Sequence, residues 1–144
     1  MSESDELQMT GLELSPRKIA YLKFMFRQEE PTVRTSELAE SLGVDPSTVT
    51  KTLDELSNAG YVDHIPYKGV RLSPAGKDYA SFLIRRHQIL ELVFSKYGLS
   101  PEEVCEEVTR LEPFVSKKAI EAICKSMGYP TVSFCPVNPE MKIL

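Results

Sequence analysis

Apolar residues in this chain recur mostly at three- and four-residue spacing, interrupted by one short stretch of strict alternation. The first stripe, Ile19, Leu22, Met25 and Phe26, follows Ser15-Pro16, a cap residue and a first helical position, and predicts a helix ending near Glu30-Pro31. A second helix is expected from a cap at Thr35 or Ser36, with Leu38, Ala39 and Leu42 facing inward and Gly43 as its stop. Asp45 can cap a third, with Pro46 in its first turn and Val49, Leu53 and Leu56 on the buried side. After Asn58-Ala59-Gly60 the period changes to two. Tyr61-Val62-Asp63-His64-Ile65 alternates like a half-buried strand, Pro66-Tyr67-Lys68-Gly69 is a turn, and Val70-Arg71-Leu72 returns. Ser73-Pro74 opens the longest helix, to about Tyr97-Gly98. Its apolar positions (Ala80, Leu83, Ile84, Leu90, Val93, Phe94) span a face too wide for a solitary surface helix. Ser100-Pro101 starts a fifth helix through Leu111, and Ser116 starts a sixth through about Met127, with Gly128 beyond it.

Two short helices around a tight turn, then strand, basic turn and strand, is the order of a helix-turn-helix with a wing. The expected fold is mainly α: an N-terminal winged helix-turn-helix of three helices plus a two-stranded wing, followed by a helical dimerisation domain. The boundaries fall at a disordered arm over 1–13, the winged helix over 14–73, the helical domain over 74–139 and a tail over 140–144. A helix-turn-helix lays its second helix in the DNA major groove, so double-stranded DNA is the expected partner. In that helix Ser47, Thr48, Thr50, Lys51 and Asp54 lie opposite the apolar face, where side chains can meet base edges and phosphates. Thr35 belongs to the same set. Tyr67, Lys68 and Arg71 place the wing against backbone or minor groove. The apolar surface of the long helix, with Val104, Val108, Leu111, Ile120 and Ile123, exceeds what one chain of this size covers. A homodimer reading a palindromic operator is therefore expected.

Composition adjusts this picture. The 144 residues carry a net charge of -4 with a pI near 5.3, which is unusual for a DNA binder and leaves open a winged-helix module that binds protein. Counted locally the imbalance fades: Leu14 to Lys77 holds nine Lys and Arg against eight Asp and Glu, whereas the first thirteen residues hold four acids and no base. No window approaches the roughly 18 apolar residues of a membrane span, and the acidic start does not read as a signal peptide. A cytoplasmic protein with no membrane partner is expected. Cys105, Cys124 and Cys135, an odd number without paired spacing, suggest free thiols. No nucleophile-base set, phosphate-cradling glycine loop or pair of general-acid carboxylates stands out, so an enzyme is not expected.

His87 and Glu91 stand four apart on one helix face and can grip a cation together through an imidazole nitrogen and a carboxylate oxygen. Four blocks add to this reading: ELAESLGVDPSTVTKTLDEL, GYVDHIPYKGVRLSPAGKDYA, RRHQILE and EEVTRLEPFVS. In order and spacing they resemble the diphtheria toxin repressor family, also called iron-dependent repressors, from about Pro16 to Pro139. The resemblance implies a homodimer built on the helices after the wing, and a transcription regulator, in most cases a repressor, whose DNA affinity is set by a divalent transition metal (iron, zinc or manganese). It also implies a short form without a separate C-terminal adaptor domain.

On that resemblance His87 and Glu91 fall on ligand positions, and a third, usually histidine, falls on Cys105. A thiolate there favours zinc or ferrous iron over manganese. The second family site departs from pattern. Where relatives place ligands on the first helix this chain has Ala20 and Lys23 around Tyr21, and on the acidic helix it has Thr109, Glu112 and Pro113. Lys23 facing Glu112 would be a built-in cation in place of an exchangeable one. Cys135-Pro136 resembles a Cys-Pro-His-Gly segment of some relatives, so Cys135 is a candidate extra ligand or a disulfide partner for Cys105. A metal-independent or redox-responsive regulator is the alternative these departures suggest.

Overall fold

The computed structural model describes residues 9–130, which divide into two compact units. One is Pro16–Ser81; the other combines the segment before Pro16 with the chain from Phe82 onward. Cys135 lies outside the described residues.

The Pro16–Ser81 unit contains α1 (Pro16–Arg27), β1 (Thr32–Val33), α2 (Thr35–Leu42), α3 (Pro46–Asn58), β2 (Val62–Ile65), β3 (Gly69–Leu72) and the first turns of α4 (Pro74–Phe94). Ile19, Leu22 and Met25 of α1, Leu38 of α2 and Val49, Leu53 and Leu56 of α3 are buried, as their spacing predicts. Asp45 caps α3, its carboxylate accepting from Ser47 N–H at 3.3 Å. The wing differs from expectation in one respect: the sheet has three strands, in the order β1-β3-β2, all antiparallel. Thr32 pairs with Arg71 and Val33 with Val70. A two-residue strand shows no alternation, which is why its sequence is silent.

Two helix ends also differ. α1 stops at Arg27, ahead of Glu30-Pro31. Acids at a helix C-terminus oppose the macrodipole and the residue before proline is driven out of the α region, so Glu29 and Glu30 are poor helical positions. α2 begins at Thr35 with extended Arg34 as an unassisted cap, so neither Thr35 nor Ser36 caps it. Val33 is held in the sheet, and the chain has one residue in which to leave it.

The start of α4 is laid directly on the chain entering β2. Ser73 Oγ donates to Gly60 O at 2.6 Å and accepts from Gly76 N–H at 3.0 Å, and Ser73 N–H donates to Tyr61 O. A Cβ on Gly76 would stand 1.9 Å from Tyr61 O. No other residue fits there.

The second unit holds the rest of α4, α5 (Pro101–Leu111), a 3-10 turn (Glu112–Phe114) and α6 (Lys117–Ser126). α4 ends at Phe94, a turn earlier than expected, with Ser95 Oγ donating to Leu92 O at 2.7 Å. Residues 9–13 pack here, so the expected arm does not extend to residue 13. Thr10 and Gly11 N–H donate to Glu13 Oε1 at 2.6 and 2.8 Å, and Lys117 N–H donates to Thr10 O at 2.8 Å. Buried Arg86 fastens the segment, its Nη1 donating to Gly11 O at 2.8 Å and Val115 O at 3.1 Å while the guanidinium lies 5.0 Å from the Phe82 ring centroid. Val104, Val108 and Ile120 are buried within the chain, so they do not supply the surplus apolar surface expected of them; Phe114, at 75% exposure, and Leu111, at 36%, are on the surface. No helix among the described residues is long and apolar enough to cross a membrane.

Candidate metal centre and nucleic-acid interface

The four-residue spacing on α4 puts His87 and Glu91 side by side: Nε2 and Oε1 are 2.9 Å apart. α5 supplies the rest. Its start is fixed by a capping box in which Ser100 Oγ accepts from Glu103 N–H at 3.2 Å and Glu103 Oε1 accepts from Ser100 N–H at 2.9 Å. Hydrogen bonds from the Ser100 backbone and side chain to the charged carboxylate hold Glu103 below its ordinary pKa. From that start Cys105 and Glu112, seven apart, share one helical face and reach both edges of the His87 ring. Cys105 Sγ lies 3.7 Å from Nε2, and Glu112 Oε2 lies 2.6 Å from Nδ1.

The imidazole is thereby oriented. A neutral ring with its Nδ1–H toward the Glu112 carboxylate would turn the Nε2 lone pair to Glu91 and Cys105, the tautomer a metal requires. His87, Glu91 and Glu112 are buried, and the His87 ring is the polar group that faces the Glu91 carboxylate among the described residues. Two buried carboxyl groups beside one imidazole leave negative charge that the ring alone cannot match, and a divalent cation at Nε2 would supply the balance. Among the described residues no three His, Cys, Asp or Glu side chains already close a cage. Two edges of one are in place, and the donors fit a metal.

Thr109 Oγ1 donates to Cys105 O at 2.7 Å, stitching its own helix and facing outward. Lys23 is half-buried on α1. Within its own unit Glu112 Oε2 lies beside His87 Nδ1. Cys124 is buried, with Arg85 Nη2 3.0 Å from its sulfur. No direct sign of the His87–Glu112 bond lay in the sequence; the seven-residue spacing of Cys105, on α5, and Glu112, in the turn that ends it, was the usable signal.

On α3, Ser47, Thr50, Lys51 and Asp54 are exposed and Thr48 is half-exposed. Ser47 Oγ donates to the Asp45 carboxylate and Thr50 Oγ1 donates to Pro46 O at 3.1 Å, so both hydroxyls keep only acceptor capacity for a ligand. The acids of the helix are partly offset: Glu55 Oε2 pairs with Lys18 Nζ at 3.1 Å, and Asp54 Oδ1 lies 3.3 Å from His64 Nε2 on β2. Lys51 enters no ion pair among the described residues.

At the wing tip Tyr67 is fully exposed with φ +66, a left-handed conformation uncommon for a tyrosine. Lys68 is beside it. Arg71 sits lower, paired across the sheet with Asp63 and lining an open cleft with Met25, Phe26, Leu72 and Lys77. Thr35 is the half-exposed first residue of α2.

A winged helix-turn-helix whose second helix exposes Lys51, in one chain with a helical unit that sets Cys105 beside the buried His87 and Glu91, defines a metal-dependent DNA-binding regulator. The profile for the iron dependent repressor N-terminal DNA binding domain matches residues 13–70, and that for the iron dependent repressor metal binding and dimerisation domain matches residues 73–141. The chain belongs to the iron-dependent repressor family. Similar proteins include the HTH-type transcriptional regulator MntR of Geobacillus thermodenitrificans, 33% identical over 106 residues covering 74% of this chain and 75% of the relative. MntR of Bacillus pumilus is 33% identical over 100 residues, 69% of each chain. Among solved structures, a manganese-dependent transcriptional repressor in complex with manganese superposes with a TM-score of 0.67 at 31% identity, covering 81% of this chain and 55% of that one. A hypothetical protein of Sulfolobus solfataricus shares the fold, with a TM-score of 0.77 at 22% identity over 91% of this chain and 99% of that chain. This chain is a DNA-binding transcription regulator that responds to a divalent transition metal.

Proposed function

We propose that the chain acts as a cytoplasmic homodimeric repressor whose controlling metal is held by His87 Nε2, Glu91 and Cys105, with Glu112 as the positioning residue on Nδ1. The observation that carries this reading is the buried Glu91 carboxylate 2.9 Å from Nε2, with Cys105 Sγ 3.7 Å from the same nitrogen. The metal supplies a positive charge that draws the donors of α4 and α5 together. The chain's own residues do the rest: Glu112 fixes the tautomer, the Ser100 capping box fixes the reach of Cys105, and Arg86 ties Gly11 and Val115 to the turn of α4 beside His87.

DNA recognition is assigned to Lys51, with Ser47, Thr48 and Thr50 contributing acceptor oxygens at the groove. Thr35, Tyr67, Lys68 and Arg71 contact the sugar-phosphate backbone. Two copies would present two α3 helices to successive major grooves, about 34 to 36 Å apart, on a palindromic site. The test is sedimentation of the purified protein with and without DNA from its own promoter, over a salt series. A dimer that binds with a steep negative salt slope is expected; a chain that ignores promoter DNA at low salt contradicts the reading.

A further inference from the structure

Within the Pro16–Ser81 unit, the end of α1, the strands β2 and β3 and the first turn of α4 frame an open cleft of about 390 Å³. Its floor is apolar, made by the buried Met25 and Leu72 and the half-buried Phe26. Its rim is charged, with Arg71 and Lys77 set against Glu29 and Asp63. An apolar floor of this size under a few convergent polar groups is the ordinary form of a small-molecule site. None of the four rim charges enters an ion pair among the described residues. Yet Asp63 and Arg71 are direct partners across β2 and β3, where facing Cβ atoms stand about 4.5 to 5.5 Å apart. Opposite charges so placed and not joined stay open to a ligand.

The rim defines what that ligand carries. A carboxylate fits Arg71, whose guanidinium can hold both oxygens at once, with Lys77 as a second cation. An ammonium fits Asp63 and Glu29. Gln28 also lines the cleft, and because its Nε2 donates to Phe24 O at 3.0 Å, Oε1 remains as a further acceptor. The spacing of facing residues on neighbouring strands suits two charges borne on a single carbon, and the floor suits an apolar group on the same carbon. We propose that this cleft binds a free apolar α-amino acid, its carboxylate on Arg71 and Lys77, its ammonium on Asp63 and Glu29, and its side chain over Phe26 and Leu72. Arg71 is also placed on the DNA backbone above, so a bound carboxylate competes with phosphate for its guanidinium. Binding in the cleft stands without that DNA assignment; the competition rests on it.

Isothermal titration calorimetry of the full chain, without DNA, tests the site. The probes are L-leucine and L-phenylalanine, then isocaproate, which is leucine without its amine, and isoamylamine, which is leucine without its carboxylate. At least one amino acid should bind with a Kd near or below about 1 mM. Each leucine analogue should bind at least about tenfold more weakly than leucine, because each leaves one set of charged partners unmet. Arg71→Gln and Asp63→Asn should each cost a similar factor, with circular dichroism confirming that both variants are folded. No amino-acid binding up to about 10 mM, analogues that bind as well as leucine, or unchanged affinity in either variant overturns the proposal. On labelled promoter DNA, a saturating amino acid should weaken wild-type binding severalfold and have no effect on the residual binding of Arg71→Gln. Amino-acid binding that leaves wild-type DNA affinity unchanged keeps the site and overturns the competition.

Discussion

His87 Nδ1 and Glu112 Oε2 stand 2.6 Å apart, joining α4 to the turn that ends α5, and this one contact decides which imidazole nitrogen is open to a metal. The nitrogen left open faces Glu91 Oε1 and Cys105 Sγ. Ring orientation is thus set by a bond from outside the ligand set, so Glu112→Ala should lower metal affinity by about 10- to 100-fold without removing a ligand. Competition against a chromophoric chelator measures it. An affinity equal to wild type would show that Glu112 has no hold on the ring.

Lys51 and Lys68 should fail in different ways. Lys51→Ala costs on the order of 1 to 3 kcal/mol on the preferred site if it reads a base, and blunts discrimination at that base pair. Lys68→Ala weakens binding evenly across sequences and flattens the salt slope by about 1. Binding isotherms on matched and scrambled sites over a salt series separate the two effects.

Much of the DNA-binding unit was legible because its signals are local. Asp45-Pro46 announces α3, and Val49, Leu53 and Leu56 repeat at the period that buries them. β1 was not legible, because Thr32 and Val33 become a strand only when Val70 and Arg71 return beside them. Residues 9–13 were assigned to an arm on acidity alone. Glu13 is instead the acceptor that folds the segment back, and the decisive anchor, Arg86, is 75 residues from Gly11. At the metal centre, the pairing of His87 with Glu91 was visible as helix spacing. Its bond to Glu112 spans 25 residues and depends on how α5 packs.

Gly76→Ala should be severely destabilising, because the added Cβ meets a backbone oxygen, Tyr61 O, at 1.9 Å, with no flexible side chain to give way. The loss should exceed about 1 kcal/mol and appear as a lowered thermal midpoint. An unchanged midpoint would mean that α4 does not start where it is described.

The α5 capping box carries a pH signature. Glu103 titrates below its ordinary 4.5 because Ser100 stabilises the charged form. A depressed folded-state value contributes stability that is complete above the unfolded pKa and is lost as pH falls through the folded value. Ser100→Ala removes the side-chain bond but keeps the residue 100 N–H, so Glu103 should move part of the way back toward its ordinary value, read by NMR titration of its side-chain carbon. No movement would show that the box is not formed in solution.

The central claim is that occupancy of the His87 site controls DNA binding, and fluorescence anisotropy on labelled promoter DNA tests it most directly. Wild-type protein is measured stripped of metal, reloaded with Zn2+ or Fe2+, and reloaded after His87→Ala. The account predicts tight binding only for reloaded wild type, and weak binding of His87→Ala with or without metal. Equal affinity in all three states, with every sample folded and dimeric, would contradict it.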